Sequence, residues 1–448
     1  MSTLPLITRH DLDSVLAWTP SGPRRVRDFL ADARALAARL PAGGALLNVC
    51  HDRYRYAVGF AAGALSGRVS LQPASQSAET LHRIQADYPD VVCLCDGDYD
   101  CCGLPRYDFP ELADAEPQAV DAIPEIPVGQ RVAILFTSGS TGLPQAQHKS
   151  WGKLVAGARA EAAALGLDAA PHAIVGTVPV QHSYGFESTF LLALHGGCAF
   201  WSGKPFYPQD IVQALAAVPR PRLLVTTPFH LATLLDAGVD LPPLERMLSA
   251  TAVLSTALAG AAEARSGARL YEIYGSTESG QLASRRTLDG AAWTLLPDVV
   301  LEQEGETTWA GGGHVEARVA LGDRIELLPD GRFLLHGRHA DLVNIAGKRT
   351  SLAYLDHQIG SVPGVVDAAF FLPDEDVESV GVTRLAAFVV APGLDRARLL
   401  TELRQRVDAI FLPRPLVFVE ALPRNSTGKL PRSALAALYR ERVSHGER

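Results

Sequence analysis

Residues 132–145 read VAILFTSGSTGLPQ, a strand-favouring apolar run that breaks into Thr137, Ser138, Gly139, Ser140, Thr141 and Gly142. Glycines let a backbone approach an anion closely, and exposed amides and hydroxyls donate to phosphate oxygens, so a strand delivering a phosphate cradle is predicted. It is not a Walker-type loop: no G-x-x-x-x-G-K-[ST] can be read across it, and Lys149 comes too late. Standing alone, the same residues would make an ordinary Ser/Gly turn.

Upstream, helical and strand periods alternate. RRVRDFLADARALAARL, RYRYAVGFAAGALSG and AETLHRIQADYP have helical patterns, while ALLNVC and VVCLC are short apolar runs. Strand-length apolar runs between helices imply an open α/β sheet covered on both faces. A Pro- and acid-rich stretch, FPELADAEPQAVDAIPEIPVG, reads as a linker, and the alternation resumes to residue 280. Residues 293–337 turn to short β-like pieces with a turn at Pro329–Gly331, and a smaller α+β unit follows from Arg338. The expected architecture is a large α/β domain over residues 1–337, with helices flanking its sheets and a β-barrel-like portion, then a small α+β domain over 338–448.

At 448 residues the chain is too long for one ordinary core, consistent with two domains. A net charge of −8 gives no support for non-specific nucleic-acid binding. No apolar stretch approaches bilayer length, and the N-terminus lacks the basic start and apolar run of a secretory signal. Cys93, Cys95, Cys101 and Cys102 have no familiar zinc spacing and read as a buried strand followed by a turn. Free thiols suit a reducing compartment, so a cytoplasmic location is expected.

Further short motifs follow in order: Tyr274, Gly275, Ser276, Thr277 and Glu278; Gly322 and Asp323; Gly337, Arg338 and Asp341; Gly347, Lys348 and Arg349; and LPRNSTGKLPR, ending at Arg432. Each alone could be a turn. Together with residues 137–145 they resemble, in sequence order, the signatures of the adenylate-forming superfamily of acyl-CoA synthetases, aryl-acid ligases, peptide-synthetase adenylation domains and luciferases. The resemblance implies ATP and Mg²⁺, with Thr137, Ser138, Gly139, Ser140, Thr141, Gly142, Tyr274, Gly275, Ser276, Thr277, Asp323 and Arg338 around the nucleotide. It places Glu278 and Thr141 at the metal, a role that suits oxygen donors because Mg²⁺ is a hard cation. It gives Asp323 the ribose, Ala340 and Asp341 the hinge of a mobile C-terminal domain, Gly347 the pantetheine tunnel and Lys429 the catalytic ammonium. An ammonium suits adenylation because negative charge builds on carboxylate and α-phosphate oxygens. Only five of the 41 Lys and Arg residues are lysine, so lysine at 429 is not this chain's default cation. Gln145, Leu321 and Ala340 depart from the family pattern, and they motivate a second reading, an impaired acyl-adenylate binder with a regulatory role.

In VPVQHSYGFE, His182 falls where acyl- and aryl-acid relatives keep a histidine beside the carboxylate, and the aspartate by which amino-acid-activating relatives hold an ammonium is missing. The resemblance draws the acid pocket from His182, Tyr184, Gly185, Phe229, Ala250, Thr251, Ser279 and Gly280, which suits a compact aromatic acid such as a hydroxybenzoate; a medium-chain fatty acid is the alternative. The acceptor thiol belongs to coenzyme A or to a phosphopantetheinyl acyl carrier protein. An arginine-rich C-terminal region and a similarity to compact aryl-acid ligases of aryl-polyene (xanthomonadin-type) pigment pathways favour the carrier protein.

Overall fold

The computed structural model describes residues 2–8, 11–73, 76, 78–111, 120–137, 145–338, 342–345, 348–373, 384–425 and 428–444. The fold has a large N-terminal α/β domain and a smaller C-terminal one. By contact the chain separates into one unit of residues 1–290, 294–302 and 310–319, and a second of 291–293, 303–309 and 320–448.

The first unit contains two sheets. In the six-stranded one, Ala45–Asn48 lies between Val69–Gln72 and Val91–Cys95, with Arg106–Asp108 beyond the latter. Arg131–Thr137 runs parallel to Val69–Gln72 and forms an antiparallel pair with Gln145–Ser150. The inner strands Ala45–Asn48, Val91–Cys95 and Arg131–Thr137 are largely apolar because helices screen them from water, as in the core of Leu47, Leu71, Val91 and Cys93 under Leu81 and Ile84 of the helix Ala78–Asp87.

The nine-stranded sheet runs Thr294–Leu295, Gly280–Arg286, Arg269–Ser276, Arg246–Ser249, Arg222–Thr226, Ala173–Gly176, Ala199–Trp201, Val15–Thr19 and Gly22–Arg25. Its middle is parallel and each end closes with an antiparallel pair. The helices Pro208–Ala217, Pro228–Asp236 and Thr256–Ser266 pack Ile211, Leu231 and Ala259 into a core with Val175, Leu224 and Met247.

In the second unit, Asp367–Phe371, Ala386–Val390 and Leu416–Phe418 form a three-stranded sheet. Its side chains alternate as strand geometry requires. Phe370, Ala387 and Val389 meet Leu355, Ile359, Leu399 and Leu403, while Ala369, Phe371, Phe388 and Val390 belong to the core of Leu422 and Leu435. Among the described residues no helix is long and apolar enough to cross a membrane.

Candidate active site

The run VAILF forms the strand Arg131–Thr137, which ends where the sequence places the phosphate cradle. Ser138, Gly139, Ser140, Thr141 and Gly142 lie outside the described residues, as do Ala340, Asp341 and Gly347.

Tyr274, Gly275 and Ser276 end the strand Arg269–Ser276, and Thr277 and Glu278 turn the chain into Gly280–Arg286. The turn is self-braced: the Ser276 amide donates to Ser279 Oγ at 3.1 Å, and the Ser279 amide donates to Ser276 Oγ at 3.2 Å. Gly275 sits at a register shift, where a Cβ would lie 2.2 Å from the Gly280 carbonyl, so no larger residue fits. Gly280 has φ +71°, open to glycine without strain. Glu278 therefore projects, half-buried, from a rigid hairpin end.

His182 caps a short helix, Ser183–Gly185, and its Nδ1 accepts from the Tyr184 amide at 3.2 Å. An accepting Nδ1 favours the tautomer with its proton on Nε2. Tyr184 is buried, and its hydroxyl donates to the Leu248 carbonyl at 2.9 Å, fixing the chain just ahead of Ala250 and Thr251. Thr251 has φ +78°, a conformation that β-branched residues adopt only under constraint. Gly185 packs so closely on Pro179 that a Cβ would meet its carbonyl at 2.1 Å. Phe229 opens the helix Pro228–Asp236 and is 42% exposed.

Ser279 and Gly280 line a cavity of about 30 Å³ with Lys149, Glu187, Gln281 and His314. Sequence reasoning passed over these four. Lys149 is buried, and its Nζ donates to the main-chain carbonyl of Glu278 at 3.2 Å. Burial pushes the Lys149 ammonium down and the Glu187 carboxyl up, and each is drawn back by the other's charge. Ser183 Oγ donates to Glu187 Oε1 at 3.0 Å. Nearby Glu161 is fully buried, and burial raises its carboxyl to about 8, leaving it neutral at pH 7. Ser188 and Gln281 favour its ionised form, yet neither reaches it with ordinary hydrogen-bond geometry. The scarcity of lysine and the placement of Glu187 within VPVQHSYGFE were the available signals.

The second unit holds the other motifs. Asp323 begins the strand Asp323–Leu327 and lies opposite Arg338 in its hairpin partner, Phe333–Arg338. Asn425 organises the turn ahead of Lys429: its amide donates to the Lys429 carbonyl at 2.8 Å, and its Oδ1 accepts from the Lys429 amide at 2.9 Å. Arg424 Nη1 adds a bond to the Gly428 carbonyl at 3.0 Å. Lys429 is thus presented, exposed, by a turn fixed through its own backbone.

Comparison with known proteins accounts for this set of motifs. A family model described as AMP-binding enzyme matches residues 69–324, and one described as AMP-binding enzyme C-terminal domain matches 355–429. A 4-coumarate–CoA ligase of Rhodobacter capsulatus is 33% identical over 302 residues, covering 66% of this chain and 74% of that protein. An L-proline–[L-prolyl-carrier protein] ligase of Streptomyces coelicolor is 25% identical, covering 92% of each. The crystal structure of ATP-bound MatB from Rhodopseudomonas palustris shares the fold at a TM-score of 0.81 and 20% identity, over 96% of this chain and 97% of that one. The chain belongs to the AMP-binding enzyme family and is an ATP-dependent, adenylate-forming acid ligase.

Proposed function

We propose that the chain converts a compact aromatic acid, such as a hydroxybenzoate, into its acyl-AMP with release of pyrophosphate and passes the acyl group to the phosphopantetheine thiol of an acyl carrier protein. The observation that carries the choice of acid is the state of the two buried carboxyls beside Ser183 and Tyr184. Lys149 already answers the charge of Glu187, and Glu161 is neutral at pH 7. A substrate ammonium would find no unanswered carboxylate there, which argues against an α-amino acid. Coenzyme A is the alternative acceptor, in keeping with the 4-coumarate–CoA ligase similarity.

In this reading Thr137 to Gly142, with Tyr274 to Thr277, cradle the phosphates and adenine, Asp323 takes the ribose hydroxyls and Arg338 the nucleotide. His182 presents its Nε2 proton toward the acid's carboxylate, beside Tyr184, Gly185, Phe229, Ala250, Thr251, Ser279 and Gly280. The partly exposed Glu278 carboxylate on its braced turn fits a hard cation, with Thr141 as its companion. Mg²⁺ bound there would supply charge compensation at the phosphates. Lys429 offsets charge developing on the carboxylate and α-phosphate oxygens. A pivot at Ala340 and Asp341 then withdraws Lys429 from residues 1–337, so that a thiol can arrive past Gly347.

Of the C-terminal arginines, Arg396, Arg406, Arg424 and Arg432 bond within their own unit, so docking falls to exposed residues such as Arg398, Arg404 and Arg414. Pyrophosphate release across a panel of aryl, fatty and amino acids, followed by thioester formation on holo carrier protein and on coenzyme A, tests the reading. Activity confined to amino acids, or a strong preference for coenzyme A, overturns the corresponding half. Salt should slow transfer to the carrier protein by screening.

A further inference from the structure

We propose that Lys149 is a positioning residue that fixes the Glu278 turn against the strand pair leading into and out of residues 138–144. The proposal rests on the reading of Glu278 as the magnesium carboxylate.

The two segments belong to different sheets. Lys149 lies on Gln145–Ser150 in the six-stranded sheet, and Glu278 joins two strands of the nine-stranded one. The hydrogen bond from Lys149 Nζ to the Glu278 carbonyl connects them across 129 residues of sequence. Both strand pairs are irregular where the link forms. The register of Gln145–Ser150 against Arg131–Thr137 shifts between Lys149 and Ser150, and that of Arg269–Ser276 against Gly280–Arg286 shifts between Tyr274 and Gly275. Such bulges re-aim side chains and recur beside active sites.

A second connection runs alongside. The Ser150 amide and hydroxyl both donate to Glu316, at 2.5 and 2.9 Å, and His314 bonds to the Gln281 carbonyl through Nε2. Residues 314–316 thereby strap the same two strand pairs together. Lysine chemistry suits the joint, because a compact ammonium on a flexible stem can reach a single buried carbonyl where a planar guanidinium would need several acceptors. A buried ammonium is costly unless opposed by charge, and Glu187, Glu316 and Glu278 oppose it.

The test compares Lys149→Met, the neutral pair Lys149→Met/Glu187→Gln, and Glu278→Gln. It reads the Mg²⁺ concentration for half-maximal ATP–pyrophosphate exchange, the KM for the acid, and the thermal midpoint. Lys149→Met should raise the Mg²⁺ requirement roughly tenfold or more, as loss of a group that orients a metal ligand does, with little change in the acid's KM. Removing both charges should recover thermal stability, because no uncompensated carboxylate is left buried, without recovering the Mg²⁺ response. If the double variant recovers both, Lys149 serves only charge balance and the proposal fails; this arm decides the matter even if Lys149→Met alone does not fold. A raised Mg²⁺ requirement in Glu278→Gln but not in the Lys149 variants overturns the positioning role alone. No change in either overturns the reading of Glu278 with it.

Discussion

Arg424 forks onto Asp367, with Nε donating to Oδ2 and Nη2 to Oδ1, each at 2.8 Å. Paired hydrogen bonds between a guanidinium and a carboxylate are among the strongest polar contacts in proteins, and this one raises the Arg424 pKa further. The remaining terminal nitrogen reaches the Gly428 carbonyl, so Arg424 braces the turn that carries Lys429. In the sequence it counts among basic residues available to an acidic partner; in the fold its charge is already answered.

Arg424→Met is therefore expected to destabilise the second unit by about 1–3 kcal/mol, since Asp367 loses its partner while half-buried. It should also slow adenylation while leaving salt-dependent carrier docking unchanged. Denaturant unfolding with paired kinetics at two ionic strengths checks both outcomes, and a docking defect equal to that of charge reversal at Arg398 would contradict the bracing role.

Lys429→Ala should suppress acyl-AMP formation by roughly a hundredfold or more, the scale on which a preorganised transition-state contact is lost. Thioester formation from supplied acyl-AMP should survive. Because Asn425 bonds Lys429 through the lysine's backbone amide and carbonyl and not its side chain, the turn should remain folded. Comparable loss of both half-reactions, with circular dichroism unchanged, would remove Lys429 from its assigned step.

Tyr184→Phe deletes the hydrogen bond to the Leu248 carbonyl, at a cost of about 0.5–1.5 kcal/mol. Its second effect should appear at Ala250 and Thr251, which lie two and three residues beyond that carbonyl. The KM for the acid should rise more than the KM for ATP. Equal changes in both would indicate a general loosening of the nine-stranded sheet.

The Glu161 carboxyl is raised by burial to about 8 from an ordinary 4.5. Between those values the folded state holds a proton that the unfolded state has released, so stability falls as pH rises from about 4.5 to 8 and levels off above it. Glu161→Gln cannot titrate and should lose less stability over that range, the difference from the parent reaching the order of a few kcal/mol. Thermal midpoints of the two proteins from pH 5 to 8 give the comparison. Parallel curves would mean that Glu161 ionises normally in the fold.

Much of the first unit was legible because its signals are local. Arg53–Leu65 forms a helix and Val91–Cys95 a strand where apolar periodicity placed them, and in the second unit the hairpin turn at Pro329–Gly331 follows from turn chemistry. In DRARLLTELRQRVDAI the helix Arg396–Arg404 stops although helix-forming residues continue, and a brief 3-10 turn follows at Ala409–Phe411. There Val407 and Phe411 join the sheet core, and tertiary packing overrides helical propensity. The links around Lys149 were not legible. Gln145–Ser150 has no apolar alternation, and what gives its lysine meaning is a carbonyl 129 residues away. Register shifts of one residue leave no compositional mark, although they decide which way such a side chain faces.

The outer edge of the nine-stranded sheet has a consequence for the order of assembly. Ala17 pairs with Phe200, and Val15–Thr19 in turn pairs with Gly22–Arg25, so two strands made early wait long for a place in their sheet. The six-stranded sheet, by contrast, has all its strands once Ser150 has emerged from the ribosome. During synthesis the apolar Leu16 and Ala17, buried in the finished protein, must wait in the open while that sheet closes beside them. Chaperone demand should therefore centre on the amino-terminal hairpin and ease when the Ala199–Trp201 strand is released.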